Sequence, residues 1–271
     1  MPEYYDISQE LREQIQNLQK EGLGRVQIAK RLNTTEGIAR LWIKKSNCNY
    51  KPFSIKTVNY NPFEDLANPE VQYWLGWIVT DGNLHDKRIN ITTTLKDLDV
   101  AQNYCKFLGI EESKIMYYKN KDKNWDTRLT IRFGHKETFD FLKSLGITEN
   151  KSLTIDPNIT FTNEFVRGLI EGDGHFGISR NKVSCVFSSS SKKLIDKYIV
   201  YLNKNNIQGC LSITKPHDNV HTHYRMQLSV KATIKLINLI YPNDCTLYCK
   251  RKFEKAQQIK QLIEQKKNIL H

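Results

Sequence analysis

The chain has 271 residues, of which 39% are hydrophobic, and it carries a formal net charge of +12. This length fits one large domain, or a medium-sized domain with a small additional one, and the apolar fraction suffices for a hydrophobic core. No run of about 18 apolar residues is present, which argues against a membrane span. The excess of Lys and Arg favours a polyanionic partner, most often nucleic acid, although ribosomal and membrane-surface proteins share such a charge.

The cellular context is predicted from the N-terminus and the cysteines. The stretch MPEYYDISQEL has neither the apolar core of a signal peptide nor the Arg-rich, acid-poor character of a transit peptide. The six cysteines are scattered and form no CxxC pair, so reduced thiols and an intracellular location are expected, in a cytoplasm or encoded by a phage or an organelle. Neither end carries the splice-junction residues of an intein, which favours a free-standing or intron-encoded protein.

Residues 1–48 are predicted to form three short helices with a tight turn before the last one. The helices correspond to ISQELREQIQNLQKEG, GRVQIAKRL and TEGIARLWIKK, and in the second of these Val26, Ile28, Ala29 and Leu32 are expected to face inward. This arrangement resembles a helix-turn-helix, and a generic three-helix cap or a protein-docking module is the alternative. The basic residues that a helix-turn-helix would offer to DNA are Lys30, Arg31, Arg40, Lys44 and Lys45.

A polar tether over residues 49–68, with two prolines, leads into a repeated sequence. The stretch YWLGWIVTDGNL (73–84) has the same plan as FVRGLIEGDGHFGI (165–178). Around each copy the periodicities predict the order helix, strand, strand, helix, strand, strand, helix, and a basic helix ends the chain. The predicted fold is therefore α+β, with two pseudo-symmetric αββαββα halves at 69–158 and 159–271, preceded by the small three-helix domain.

The predicted strands alternate between apolar and donor-rich positions, which is typical of a sheet with one face on a core and one face free. The free face carries Arg, Gln, Asn and Thr but no acids, and such side chains read base edges in a major groove. A solvated face without a partner is the alternative. The predicted DNA-binding set of the two halves is Arg88, Asn90, Thr92, Arg128, Thr130, Arg132, Arg180, Lys182, Lys215, His223, Arg225 and Gln227.

Glycines inside the repeated helix predict a close helix–helix contact. A glycine in a helix costs about 1 kcal/mol relative to alanine, so its presence needs a reason. Gly168 and Gly172 lie four residues apart on one face, and Gly76 and Thr80 mirror them. Small residues at this spacing let two backbones approach closely. The two copies of the helix are therefore expected to pack on each other about a pseudo-twofold axis.

That packing would bring Asp81 and Asp173 together at the same ends of the two helices. A carboxylate is disfavoured at a helix C-terminus, and two neighbouring carboxylates repel each other. Bound divalent cations would offset both penalties, and oxygen ligands of this kind suit Mg²⁺. Next to a phosphodiester, such a metal is equipped for hydrolysis. The alternative is that each Asp-Gly pair is a turn after its helix.

The motifs WLGWIVTDG (74–82) and VRGLIEGDG (166–174) resemble the signature of the LAGLIDADG homing endonucleases, and the resemblance covers about residues 70–265. It implies a monomer with a DNA-binding β-saddle that cuts long, nearly asymmetric double-stranded DNA sites and leaves short 3′ overhangs. The implied cofactor is Mg²⁺, with Mn²⁺ as a substitute. The first motif departs from the family pattern, since Val79 stands where an acid is frequent. The implied metal site comprises Asp81 and Asp173 with their neighbours Thr80, Gly82, Gly172 and Gly174.

The resemblance also implies a lysine near each active site, late in each half. Lys151 and Lys252 match best by position, with Lys250 as a rival for the second, and the alternative is that these are ordinary surface lysines. The function expected from the resemblance is site-specific cleavage of double-stranded DNA. The alternative is a non-cutting regulator, or a helper of intron splicing, on the same fold. Retention of both aspartates favours cleavage, because a non-cutting protein has no need of the costly pair.

Overall fold

A computed structural model describes residues 8–45, 58, 60–119, 126–149, 151–179, 182–214 and 221–269. The chain divides into two compact units, Met1–Ile55 and Lys56–His271. The division falls inside the predicted tether. Within the described ranges, no helix combines the length and the apolar character that crossing a membrane requires.

The first unit contains the three predicted helices, α1 (Gln9–Lys20), α2 (Arg25–Arg31) and α3 (Glu36–Lys45). Ile15 of α1 and Ile28 of α2 are fully buried in its small core. The prediction that Val26 faces inward is wrong, because Val26 is 54% exposed. Two residues apart on a helix means nearly opposite sides, so burial of Ile28 turns Val26 outward.

The second unit contains two halves with the predicted order of elements. The first half consists of α4 (Pro69–Asp81), β1 (Gly82–His85), β2 (Arg88–Thr94), α5 (Leu98–Phe107), β3 (Met116–Tyr118), β4 (Arg128–Gly134) and α6 (Lys136–Ser144). The second half consists of α7 (Asn163–Gly172), β5 (His175–Ser179), β6 (Lys182–Ser189), α8 (Lys192–Lys204), β7 (Gly209–Thr214), β8 (His223–Leu228) and α9 (Val230–Ile240), and α10 (Lys250–Ile269) follows. Short 3-10 turns occur at Leu95–Asp97, Glu112–Lys114 and Lys151–Leu153. The predicted α+β fold with two αββαββα halves is confirmed.

Each half builds one four-stranded antiparallel sheet, in the orders β1-β2-β4-β3 and β5-β6-β8-β7. The two registers correspond. Asn90 of β2 pairs with Arg132 of β4, and its counterpart Val186 of β6 pairs with Gln227 of β8. Counting from these pairs, Arg128 of the first sheet is equivalent to His223 of the second.

Helices α4 and α7 lie at the centre of the core. Asn68 caps α4 by accepting a hydrogen bond from the Glu70 amide (2.8 Å), and Pro69 occupies the first turn. Every residue of α4 from Val71 to Val79 is buried, so all sides of this helix are covered. A helix that is apolar on every side is a buried helix, which follows here from its position between the second half and its own sheet.

Candidate active site

The close contact between α4 and α7 is the basis of the site. A Cβ atom built on Gly76 would lie 2.9 Å from the Cα atom of Gly168, and one built on Gly172 would collide with the side chain of Thr80. The predicted small-residue interface is therefore present. The hydroxyl of Thr80 donates back to the carbonyl groups of Gly76 (3.2 Å) or Trp77 (3.1 Å), so it is satisfied within its own helix.

The packing places the Asp81 carboxylate against the second motif. Gly172 immediately precedes Asp173, and a Cβ atom built on it would stand 2.9 Å from Oδ2 of Asp81. Burial, followed by the charge of Asp173, raises the pKa of Asp81 to about 7. Loss of hydration also raises the pKa of Asp173, while the ammonium groups of Lys151 and Lys252 oppose the rise. The two acids therefore share one electrostatic environment, as the repeat predicts.

Each of the two lysines predicted from the resemblance lies at the C-terminal end of one motif helix. Lys151 donates to the carbonyl groups of Val79 (2.5 Å) and Thr80 (2.8 Å), at the end of α4. Lys252 donates to the carbonyl group of Ile170 (3.4 Å) and to that of Gly174, just past α7.

Lys151 and Lys252 are each 8% exposed, whereas the rival Lys250 is exposed. Burial lowers the pKa of Lys151 to about 8 and also lowers the pKa of Lys252. The structure thus favours Lys252 over Lys250, and neither buried lysine is an ordinary surface residue.

Glu171, the acid without a counterpart in the first motif, is buried and fully bonded. It accepts hydrogen bonds from the hydroxyls of Tyr73 (2.6 Å) and Tyr241 (2.9 Å) and from the amide of Cys249 (2.7 Å). Burial raises its pKa to about 7, although these donors and Arg167 oppose the rise. Glu171 therefore fastens α4 and the chain before α10 to α7, a role that its position in the motif does not reveal.

Two cavities flank the ends of the paired helices. One of about 750 Å³ is lined by Asp81, and one of about 340 Å³ is lined by Asp173 and Lys151. Part of the wall of each cavity corresponds in position to part of the other but differs in chemistry. The first contains three threonines of β2 and Arg128, namely Thr92, Thr93, Thr94 and Arg128. The second contains the equivalent serines and His223, namely Ser188, Ser189, Ser190 and His223.

The predicted donor-rich face is present on both sheets, with one exception. Along β2, Arg88, Asn90 and Thr92 are half-buried while the residues between them are buried. Exposed positions on β4 and β8 are Arg128, Arg132, His223, Arg225 and Gln227.

Thr130 lies on the same face of β4 but is only 6% exposed, with its hydroxyl 3.3 Å from that of Thr92, so it is not available as predicted. Arg132 is oriented by its hydrogen bond to Oδ1 of Asn90 (2.7 Å).

Several predicted DNA-binding residues lie outside the described part of the structure. Arg180 and Lys215 are outside the described residues, and the side chains of Lys182, Lys44 and Lys45 are likewise not described. Arg40 is exposed on α3, and Lys30 and Arg31 are exposed on α2.

The carboxylates fit a metal that is shared with a substrate. Within the described residues, neither Asp81 nor Asp173 accepts a side-chain hydrogen bond or forms an ion pair. The same residues contain no cluster of three or more His, Cys, Asp or Glu side chains able to hold a metal ion by themselves. Magnesium is typically bound by one or two carboxylates together with waters and substrate phosphates. Among the other predicted ligands, the carbonyl groups of Thr80 and Gly174 accept from the lysines, and Gly82 and Gly172 adjoin the acids.

One family profile matches the second of the two halves. Residues 160–241 match a family profile described as a LAGLIDADG-like domain. A comparison with curated protein sequences finds no match.

Several solved structures are similar to the chain. The homing endonuclease I-WcaI bound to its DNA recognition sequence is 17% identical, with 73% of this chain and 88% of that chain covered and a TM-score of 0.49. A mesophilic variant of the homing endonuclease I-DmoI is 16% identical, with 73% and 100% covered and a TM-score of 0.47. The N-terminal LAGLIDADG domain of DUF199/WhiA is 14% identical, with 72% and 93% covered and a TM-score of 0.45. The resemblance to the LAGLIDADG family is confirmed over residues 160–241, which match the family profile.

Proposed function

We propose that this chain is a site-specific endonuclease that cuts both strands of DNA by metal-dependent hydrolysis. The observation that carries the proposal is the pair Asp81 and Asp173 at the adjoining ends of two helices in glycine contact. A buried acid pair raises the free energy of the folded protein unless a cation compensates it. The LAGLIDADG-like domain, the net charge of +12 and the donor-rich sheets support the same reaction and substrate.

The residues of the site have separate roles in this proposal. Asp81 and Asp173 hold the divalent cations, Mg²⁺ or in its place Mn²⁺, jointly with the scissile phosphates. When bound, such ions activate water and stabilise the leaving oxygen. Lys151 and Lys252 place a positive charge beside each acid, where negative charge develops during phosphodiester cleavage. The cavities beside the acids leave room for phosphate and water.

The two sheets are proposed to bind a long, nearly asymmetric duplex, with one half of the protein on each side of the cut. Exposed Arg and Gln side chains on β4 and β8 are suited to base edges, and Lys and Arg elsewhere bind phosphates. The first unit, with its helix-turn-helix-like arrangement, adds contacts at one flank. We further propose that the protein acts as a monomer, because one chain supplies both acids, and that cleavage leaves short 3′ overhangs.

Cleavage of a randomised duplex library, with and without Mg²⁺, tests this function. The wild-type chain should release defined double-strand ends from a small set of sequences, and EDTA should abolish the ends. A variant with both Asp81→Asn and Asp173→Asn is the matched control and should enrich the same sequences by binding without cutting them. Enrichment of sequences by the wild type without any ends would instead indicate a non-cutting DNA-binding protein on this fold.

A further inference from the structure

The first residues of α10, which belong to the second half by sequence, are bound to the first half. The guanidinium of Arg251 donates through Nε to Oδ1 and through Nη2 to Oδ2 of Asp97, both at 2.8 Å. The thiol of Cys249 donates to Oδ1 of Asp97 at 3.3 Å. A bidentate arginine–carboxylate pair fixes orientation as well as distance.

Two further bonds pin the backbone of the same segment. The amide of Lys250 donates to Asp99 (2.7 Å), and the amide of Cys249 donates to Glu171 (2.7 Å). Asp97 is only 5% exposed. Burial alone would raise its pKa, but the bonds from Arg251 hold that pKa below its ordinary value. The carboxylate is therefore committed to this pair, while Glu171 ties the segment to α7.

Lys252 is the next residue of the pinned segment. Its ammonium reaches the carbonyl groups of Ile170 and Gly174, on either side of Asp173. Lys151 differs in this respect, because it starts its own 3-10 turn and bonds to α4 of the half to which it belongs. The position of Lys252 thus depends on a carboxylate from the other half of the chain.

We infer that Asp97 and Arg251 form a positioning clamp through which the first half holds Lys252 against the second motif. Arg251 and Asp97 also line the cavity that contains Asp81, whereas Lys151 lines the cavity that contains Asp173. The clamp therefore belongs to the cavity that contains Asp81. In the proposed function, this cavity is one of two centres that each cut one DNA strand. This last consequence rests on the proposed function, but the positioning of Lys252 does not.

Amine labelling tests the positioning without any DNA. Lys151 and Lys252 are equally exposed, at 8%, so acetylation by acetic anhydride followed by mass spectrometry has a matched internal control. In Arg251→Gln and in Asp97→Asn, acetylation of Lys252 should rise several-fold while that of Lys151 stays at the wild-type level. Unchanged labelling of Lys252, or an equal rise at both lysines, would overturn the inference.

A double variant distinguishes a clamp from a general loss of packing. Each single change leaves a charge without its partner, whereas Asp97→Asn combined with Arg251→Gln leaves two neutral amides that are able to bond. The double variant should restore much of the protection of Lys252. Labelling that increases further in the double variant would count against the clamp.

Strand-specific nicking extends the test to the reaction. On a cognate duplex labelled on both strands, Arg251→Gln should slow cleavage of one strand by roughly 10²-fold, the cost of a small misplacement at a reacting centre. Lys151→Met should slow the opposite strand, so the two variants should accumulate oppositely nicked DNA. Equal slowing of both strands by Arg251→Gln would contradict the inference. If the wild type cuts no DNA, the proposed function fails, while the labelling result still decides whether the clamp exists.

Discussion

Gly76 and Gly168 are in backbone contact, since a Cβ atom on Gly76 would stand 2.9 Å from the Cα atom of Gly168, and one on Gly168 would stand 3.0 Å from the Cα atom of Gly76. The atoms that would be struck belong to the backbone and are unable to rotate away. The absence of a side chain at both positions therefore sets the distance between α4 and α7. That distance in turn sets the separation of Asp81 and Asp173.

The substitution Gly168→Ala should consequently destabilise the second unit. Overpacking a filled contact costs about 1–3 kcal/mol or more, and urea denaturation measures the loss. Gly37→Ala in α3 is the control, because its Cβ atom would meet nothing closer than the Thr35 hydroxyl at 3.8 Å. That change should be neutral or should stabilise the first unit by up to about 1 kcal/mol. Equal effects of the two substitutions would show that the helix contact is looser than described.

Asp81→Asn and Asp173→Asn should each abolish double-strand cleavage while DNA binding survives. Each change removes a charge needed to hold the metal but keeps the shape of the side chain. Gel-shift and plasmid-linearisation assays report the two properties separately. Asp140→Asn, on the exposed side of α6, should cut like the wild type. Near wild-type cutting by either motif variant would refute the assignment of the site.

Arg128→Ala, Arg132→Ala and Arg225→Ala should each weaken specific binding. An arginine that reads a base should cost roughly 1–3 kcal/mol and relax preference locally, whereas one that binds phosphate should weaken all sequences alike. Arg132, which is already oriented by Asn90, is expected to behave as a base reader. Binding titrations against single-base variants make the distinction, with Lys235→Ala on α9 as the control. Unchanged affinity in all three arginine variants would indicate a solvated face.

Glu171→Gln should alter how the free energy of unfolding depends on pH. The folded pKa of Glu171, about 7, lies above its ordinary value of 4.5. Protonation of Glu171 therefore stabilises the folded state fully below about pH 4.5, and this stabilisation is lost as pH rises through 7. From pH 4.5 to 7.5 the variant should gain on the wild type by about 3 kcal/mol, at 1.36 kcal/mol for each pKa unit. Urea denaturation at several pH values measures this gain, and the exposed Glu149→Gln should follow the wild-type profile.

Removal of the first unit should lower affinity without changing the chemistry. A chain that begins at Lys56 keeps the whole second unit, with both motifs and both lysines. Linked binding units raise each other's effective concentration, and each lost phosphate contact should flatten the salt dependence by about 0.9 in log–log slope. The shortened chain should cleave the same phosphates, require more protein and protect a shorter stretch in footprinting. An identical footprint and salt slope would make the first unit a docking module.

The features that were predictable from sequence are those that recur. The duplicated motif predicted the helix contact, the meeting of Asp81 with Asp173 and the order of elements, because local periodicity and spacing determine them. Thr130 was misjudged because strand alternation assigns a face but not its depth. Thr130 lies on the central strand β4 beside Thr92, where its neighbours cover a side chain that alternation assigns to the free face.

The features that could not be predicted join distant parts of the chain. Tyr73 and Glu171 are 98 residues apart, and Asp97 and Arg251 are 154 apart. No local pattern connects such partners, so the burial of Glu171 and the attachment of α10 required the folded structure. The one available signal was Glu171 itself, whose equivalent in the first motif is Val79, since an acid on an apolar helix needs partners.

The two sheets share a backbone plan but not a side-chain inventory. Arg132 in one corresponds to Gln227 in the other, and Arg128 corresponds to His223. A rod-shaped ligand lying along both sheets would therefore meet a different sequence of contacts if it were turned end for end. The two orientations of such a ligand are therefore not equivalent, and the partner is expected to bind in one orientation.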